Sequence, residues 1–264
     1  MKYLFLAILI AVPQAAHSAA VMEGTQPWPN ATVAYHFAPD LLKAVGSRNQ
    51  NCTGWERWHA VTTAFKACKA MDAWHVATGV FFVADNRLDA LQIVPSQATQ
   101  ATVGHQLLGN KMEIEAGATY GSVLHEFGHV LGLMHEHQRP DRDDYLTLQP
   151  FLQNDLRSCG FSIDAVCLDV RNAFPKLKVQ LSSDYDPCSL MHYLSNQTPR
   201  HREDPRWGRI FTLTTKGDAA LKACLPQFAR LEPRCRKVGQ KCAISLSDAA
   251  IVRRFQHPGG TAKF

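Results

Sequence analysis

The spacing of apolar residues predicts three helices along the chain. From Trp55 to Thr78 apolar side chains recur every three or four residues, which predicts a long amphipathic helix that Gly79 ends. A second helix is predicted from Tyr120 to Leu133, where Gly132 permits the chain to turn. After Tyr145 the pattern becomes irregular and rich in proline, and only Asp248–Phe255 is predicted to be helical.

Short β-rich runs predict strands between these helices. Trp28–Phe37 is predicted to be the first strand, and Val80–Val83 and Leu91–Pro95 the next two. Lys111–Glu115 is predicted to be a short strand at a sheet edge. We therefore expect an α/β N-terminal lobe of about residues 28–134 and a looser, disulfide-tied C-terminal lobe of about residues 135–257.

The first twenty residues have a different character. Lys2 supplies a positive charge, Tyr3–Val12 is unbroken apolar sequence, and Pro13 and a run of small residues follow. This apolar run is too short for a membrane helix, which needs about 20 residues. The pattern predicts a secretory signal peptide over residues 1–20, cut near Ser18 to Ala20, with residues 21–264 as one mature domain. The alternative is an N-terminal core segment or a membrane anchor.

The cysteine content agrees with export. All eight cysteines follow the predicted signal, and an even number suits a disulfide framework in an oxidising compartment. No C-x-x-C pair occurs, which argues against a zinc site made of cysteines. The pairing stays open, although Cys159 and Cys167 could form a local bridge. The hydrophobic fraction of 46% and the charged fraction of 19% are those of an ordinary globular protein.

Charge is distributed unevenly. Residues 200–264 carry 14 Lys and Arg against 5 Asp and Glu, whereas the rest of the chain carries 14 against 18. A basic C-terminal lobe would attract acidic peptides or polyanionic surfaces. A solvated basic surface with no dedicated partner is the plainer alternative.

The strongest chemical signal is the segment L-H-E-F-G-H-V-L-G-L-M-H, which begins at Leu124. His125 and His129 are four residues apart, so a helix brings both imidazoles onto one face. Glu126 lies between them in sequence and can reach a water molecule held by the same metal ion. This is the H-E-x-x-H arrangement of zinc peptidases.

His135 supplies a third candidate ligand. On a straight helix it would lie about 9 Å further along the axis, but a positive φ at Gly132 would end the helix and bring His135 back. Three neutral imidazoles leave zinc an open position for water. We therefore predict one catalytic zinc ion on His125, His129 and His135, with Glu126 as general acid and base. A histidine-rich helix end without a metal is the alternative.

These residues and their surroundings resemble a known family. H-E-F-G-H-V-L-G-L-M-H resembles the metzincin zinc signature, and the continuation E-H-Q-R-P-D-R-D-D-Y is similar to the astacin family. D-Y-D-P-C-S-L-M-H-Y, from Asp184 to Tyr193, resembles its Met-turn, and V-G-Q-K-C-A-I-S-L-S-D-A-A-I, from Val238 to Ile251, resembles its closing helix motif. Trp28–Phe37 is similar to its opening strand, so the resemblance covers nearly the whole mature chain.

The resemblance implies an α+β, two-lobed metzincin fold with a mixed twisted sheet, two long helices in the N-terminal lobe and a closing helix. It implies that Met191 forms the floor under the zinc ion and that Glu136 holds the mature N-terminus. It also implies that Tyr193 binds the metal in the resting enzyme and swings away to stabilise the oxyanion, although a packed core tyrosine is the alternative. Structural charge pairs are expected of Arg139, Asp141 and Arg142.

Three features depart from the family. Thr25 stands where the aspartate of the family's pro-segment would cap the zinc ion, so we predict no latency of that kind. The cysteine frame differs, with Cys188 and the cluster Cys224, Cys235 and Cys242 as additions. A long insert, Arg200–Arg236, replaces sequence that usually lines the cleft, so substrate preference cannot be transferred.

We expect a secreted zinc-dependent endopeptidase, extracellular or periplasmic, that acts on protein or peptide substrates. No nucleic-acid partner and no stable membrane insertion after signal cleavage are expected. The basic C-terminal lobe suggests a preference for acidic residues just after the scissile bond. The rivals are a non-catalytic binding protein with structural zinc and a metzincin of another branch. Glu126 disfavours the first, because structural zinc sites are closed by four protein ligands, and Tyr193 disfavours the second.

Overall fold

The computed structural model describes residues 20–46, 50–52, 62–160, 165–182, 184–195 and 208–259. The strands are β1 (Ala20–Met22), β2 (Thr32–Phe37), β3 (Phe81–Ala84), β4 (Leu91–Ser96), β5 (Gln100–Ala101), β6 (Lys111–Glu115), β7 (Leu133–Met134), β8 (Leu146–Leu148), β9 (Val179–Ser182) and β10 (Phe211–Leu213). The α-helices are α1 (Pro39–Ala44), α2 (Thr63–Thr78), α3 (Tyr120–Val130), α4 (Pro150–Ser158), α5 (Ala165–Ala173), α6 (Thr215–Cys224) and α7 (Leu246–Gln256).

A five-stranded sheet in the order β3-β2-β4-β6-β5 forms the frame of the N-terminal half. Four of its strands are parallel and β5 is antiparallel to β6, so the expected mixed sheet is confirmed. Lys111–Glu115 is a strand as predicted, but its predicted place at the sheet edge is wrong. The two-residue strand β5 pairs along it, with Gln100 opposite Glu113. A strand of two residues is too short to leave a periodic signal in the sequence.

The two long helices α2 and α3 pack against each other. The indole of Trp74 is fully buried and donates a hydrogen bond to Leu124 O at 2.9 Å. Gly79 ends α2 with a φ of 76°, as predicted. The predicted helix start at Trp55 lies outside the described residues, and the described helix begins at Thr63, where Thr62 caps it. The fold places α3 beside the antiparallel edge of the sheet.

The N-terminal segment forms a strand, β1, that was not predicted. β1 lies between β7 and β9, with Ala20 opposite both Met134 and Ser182. The strand predicted over Trp28–Phe37 begins only at Thr32, because a tight turn with positive φ at Asn30 precedes it. Trp28 is instead a core anchor whose indole donates to Val130 O at 2.8 Å.

The C-terminal half is more helical than the sequence suggested. Helices α4, α5 and α6 were not predicted. At α4 the reason is Pro150, which we read as a breaker but which occupies the first turn, where proline is tolerated. A second, smaller core forms here from the following buried residues: Leu146, Leu148, Leu152, Val170, Phe174, Tyr185, Ile210 and Phe211.

Helix α7 returns to the first half of the chain. Its residues Ile251, Val252 and Phe255 belong to the larger core, and the Arg253 guanidinium donates to Ala77 O at the end of α2. The predicted helix Asp248–Phe255 is therefore confirmed, with two further residues at the N-terminal end and one at the C-terminal end. The proposed lobe boundaries stay a prediction.

Four disulfides connect the eight cysteines: Cys52–Cys68, Cys159–Cys167, Cys188–Cys224 and Cys235–Cys242. The local bridge between Cys159 and Cys167 is confirmed. Cys188–Cys224 ties the segment before Met191 to the end of α6. Among the described residues, no helix has both the length and the apolar character needed to cross a membrane.

Candidate active site

The three predicted metal ligands converge on one point. His125 Nε2 and His129 Nε2 each lie 3.2 Å from His135 Nε2. The ligand atoms of all three residues lie within 4.8 Å of one another. A tetrahedral zinc ion with zinc–nitrogen bonds of 2.0–2.1 Å needs its nitrogens about 3.3 Å apart, so the spacing fits zinc.

Hydrogen bonds on the far side of each ring set its tautomer. His125 Nδ1 lies 2.8 Å from Leu190 O and His129 Nδ1 lies 2.7 Å from Leu133 O. His135 Nδ1 lies 3.1 Å from Gln138 Oε1, whose amide nitrogen donates to Asn172 O. Since these oxygens can only accept, each Nδ1 carries the proton and each Nε2 presents a lone pair. Three facing lone pairs need a cation between them.

Burial keeps the three rings neutral. It lowers the pKa of His129 to about 4 and lowers the pKa of His125 and of His135 well below the ordinary value. The charge of Lys241 lowers the pKa of His125 further. Neutral imidazole is the form that coordinates zinc. The donor set therefore matches the metal predicted from the sequence.

Gly132 makes the convergence possible. Helix α3 ends at Val130, and Gly132 follows with a φ of 100°. The chain then reverses through β7, which carries His135 back beside the two helical ligands. A Cβ on Gly132 would lie 2.5 Å from Phe255 Cε1, so both the backbone angle and the packing require glycine.

Glu126 lies on α3 between the two helical ligands, and only 8% of its surface is exposed. Burial raises the pKa of its carboxyl to about 8, while the charge of Lys241 and the backbone amide of Ala101 act in the opposite direction. Ala101 belongs to β5. Glu126 is thus on the side of α3 that adjoins the antiparallel edge strand of the sheet.

The Met-turn supports the first ligand. Met191 is fully buried and packs on α3, since a Cβ at Gly128 would lie 2.4 Å from Met191 Sδ. Asp248 of α7 accepts hydrogen bonds from Ser189 Oγ at 2.7 Å and from Leu190 N at 2.8 Å. Leu190 O in turn accepts a hydrogen bond from His125, so α7 orients His125 through Leu190.

Tyr193 lies beside the third ligand. Its ring centroid is 4.6 Å from that of His135 and 4.0 Å from that of His137. A Cβ at Gly239 would lie 2.5 Å from the carbonyl of Tyr193, so the chain after residue 238 packs directly against this backbone. His137 is fully buried and its Nε2 lies 2.8 Å from Ala173 O, which holds the ring under Tyr193.

The residues after His135 form the expected charge network. Arg139 binds both carboxylate oxygens of Asp141, at 2.8 and 2.9 Å, and its Nη1 lies 3.5 Å from Glu136 Oε1. Arg142 Nη1 donates to His137 O at 2.9 Å. Glu136 is fully buried: Oε1 accepts from Asp186 N at 2.8 Å, and Oε2 has no hydrogen-bond partner among the described residues.

Three residues near the site were not singled out from the sequence. Asp248 forms a capping box with Ser245, and the S-x-x-D spacing was a readable signal for it. Gln138 orients His135 but is itself held by Asn172, 34 residues away, and Lys241 carries charge close to Glu126 from a distant part of the sequence. No local pattern identifies them.

Comparison with known proteins agrees with this geometry. The model of the Astacin peptidase family matches residues 20–206. Astacin-like metalloprotease toxin 2 of Loxosceles intermedia is 29% identical over 149 residues, which are 53% of this chain and 49% of that protein. Zinc metalloproteinase dpy-31 of Brugia malayi is 30% identical over 154 residues, which are 55% of this chain and 23% of that protein. The chain thus spans less than half the length of these relatives.

A solved structure shows the shared fold. High choriolytic enzyme 1, a hatching enzyme zinc-protease from Oryzias latipes, aligns with a TM-score of 0.56 at 18% identity, covering 86% of this chain and 91% of that chain. The α+β fold expected from the sequence is confirmed. The family match includes the three histidines and extends over most of the chain, and we conclude that the protein belongs to the astacin family of peptidases.

Proposed function

We propose that this protein is a zinc-dependent endopeptidase. The proposal rests on the convergence of three neutral imidazole nitrogens. The buried carboxyl group of Glu126 is adjacent in sequence but is not part of this cluster of ligand atoms. A purely structural zinc site would be closed by a fourth protein ligand. His125, His129 and His135 would hold the ion, which supplies a Lewis acid for a scissile carbonyl and lowers the pKa of bound water.

Glu126 is the proposed general acid and base. Its place on α3, one residue after His125 and three before His129, supports a role in taking a proton from the attacking water and passing it to the leaving amine. Tyr193 is the proposed donor to the oxyanion that forms from the scissile carbonyl. Its ring contact with His135, at 4.6 Å, supports that role.

The proposed substrate is an extended polypeptide. Among the described residues β5 pairs with β6 alone, so no further strand covers its other edge, on which the Ala101 amide lies beside Glu126. Such an edge binds an extended peptide by strand addition. A protein or peptide substrate would therefore lie along β5 with its scissile bond near the three histidines.

Removal of the metal tests the proposal. Cleavage of a denatured protein should stop when the chain is dialysed against a zinc chelator and should return when zinc is added in stoichiometric amount. The reason is that the three histidines alone cannot activate water. Activity is measured by the appearance of new peptide N-termini. Full cleavage by metal-free protein would contradict a zinc mechanism.

We also propose export followed by activity without further processing. Four disulfides support an oxidising compartment, and the burial of Ala20 and Val21 supports a mature chain that begins close to β1. The unpartnered Oε2 of Glu136 supports binding of the new α-amino group. The mass of the exported protein should correspond to a start between residues 19 and 21, and this form should be active. An inactive exported precursor would overturn the proposal.

A further inference from the structure

Residues 222–241 have an unusual charge. They contain Lys222, Arg230, Arg234, Arg236, Lys237 and Lys241 against a single acid, Glu232. All of these except the half-buried Lys241 are exposed. We call residues 222–241 the basic segment. It overlaps the end of the insert that distinguishes this chain from its family.

Little of this charge is neutralised inside the protein. Arg234 pairs with Glu232 at 2.7 Å. Within the described part of the chain, the guanidinium of Arg236 donates to the backbone oxygens of Ala229 and Leu231 and to no carboxylate. Lys222, Arg230 and Lys237 make no ion pair among the described residues. The cations are therefore available to an external anion.

The basic segment is held firmly in one shape. Cys188–Cys224 fixes its start and Cys235–Cys242 its end. The two hydrogen bonds of Arg236 bring residues 229–231 against residue 236. Buried Gln240 binds Cys188 O at 3.0 Å and accepts from Cys242 N at 2.8 Å. A preformed surface loses less conformational entropy when it binds.

The basic segment also leads directly into the cleft. Gly239 lies against the backbone of Tyr193. The backbone of Lys241 packs so closely on Gly121 of α3 that a Cβ added to Gly121 would lie 1.7 Å from the carbonyl oxygen of Lys241. The exposed cations thus belong to the same disulfide-closed segment as Gly239 and Lys241, which pack against α3 and the backbone of Tyr193.

We propose that the basic segment is an exosite that binds an acidic stretch of a protein substrate, outside the residues that flank the scissile bond. The proposal rests on the proposed function and specifies its substrate class. Charge complementarity favours glutamate- and aspartate-rich polypeptide, and continuity with the cleft favours a substrate over an unrelated polyanion. Attraction of this kind raises the association rate and lowers KM without changing the chemical step.

Binding is tested on Glu126→Gln protein with fluorescent poly-L-glutamate as the probe, so that cleavage does not interfere. The triple variant Lys222→Ser/Arg230→Ser/Lys237→Ser should bind about tenfold more weakly, because three exposed ion pairs are lost. The control variant Lys43→Ser/Lys69→Ser/Arg157→Ser removes the same charge from exposed sites elsewhere and should bind like the parent. Equal weakening in both variants, or no binding to the parent, overturns the exosite.

Kinetics separate this inference from the proposed function. Two peptides share one cleavable core and differ in an extension of glutamates or of glutamines. The glutamate peptide should have a several-fold lower KM that rises with salt, and the triple variant should lose this difference at unchanged kcat. Cleavage of both peptides with equal KM overturns the exosite alone. Binding of poly-L-glutamate by a metal-loaded wild type that cleaves nothing overturns the proposed function instead.

Discussion

Replacing Glu126 with glutamine should lower kcat by about three orders of magnitude, within the range that a general acid and base contributes. The amide has nearly the same size and shape as the carboxyl group but cannot take up a proton. Because Glu126 is not one of the three converging ligands, the zinc content and the melting temperature should stay close to those of wild type. Steady-state kinetics, elemental analysis and thermal unfolding on one preparation measure all three quantities.

Two further variants provide comparisons for this result. Glu115→Gln changes an exposed carboxylate at the end of β6 and should leave kcat unchanged. Tyr193→Phe removes a single proposed hydrogen-bond donor and should lower kcat by about 10²-fold with little change in KM. Retention of wild-type kcat by Glu126→Gln would remove that residue from the mechanism, whatever the metal content.

Gly132→Ala should weaken both zinc binding and the fold. The residue has a φ of 100°, where a side chain is strained by about 1–3 kcal/mol. The new Cβ would also lie 2.5 Å from Phe255 Cε1, so α7 or the turn must move. Movement of the turn displaces His135, and movement of α7 disturbs the support of His125 through Asp248 and Leu190. We therefore expect zinc affinity to fall about 10–100-fold, as it does when a ligand loses its support. Competitive zinc titration and the melting temperature measure the two effects.

Gly109→Ala is the matched control for this change. Gly109 also has a positive φ, 79°, but a Cβ there would meet nothing within 4 Å. The control carries the backbone strain without the clash and lies far from the ligands in sequence, so it should leave zinc affinity unchanged. Similar zinc affinities of the two variants would show that Gly132 does not position His135.

The metal site was predictable because its geometry is encoded locally. Four-residue spacing on a helix fixes the relation of His125 to His129, and a glycine that can adopt positive φ fixes the return of His135. The supports of these ligands were not predictable in the same way. Leu190 lies 65 residues from His125 along the chain, and Gln138 gains its orientation from Asn172.

The fold was predictable where periodicity was strong. Helices α2, α3 and α7 were found because each buries one face in the larger core. Helix α4 was missed because a proline opens it and Leu152 is its one buried residue, and α6 was missed because its one buried residue, Gly217, has no side chain to give a periodic signal. The edge position of β5 escaped prediction because tertiary pairing, not composition, makes two residues a strand.

The position of Asp248 has a consequence for biosynthesis. This carboxylate lies 58 residues after Leu190 in the sequence and holds Leu190, and Leu190 holds the first histidine of the site. A nascent chain that has not yet released α7 from the ribosome lacks the contact that aligns this histidine. The correct orientation of this histidine is therefore reached only after α7 has been synthesised and has packed against Leu190.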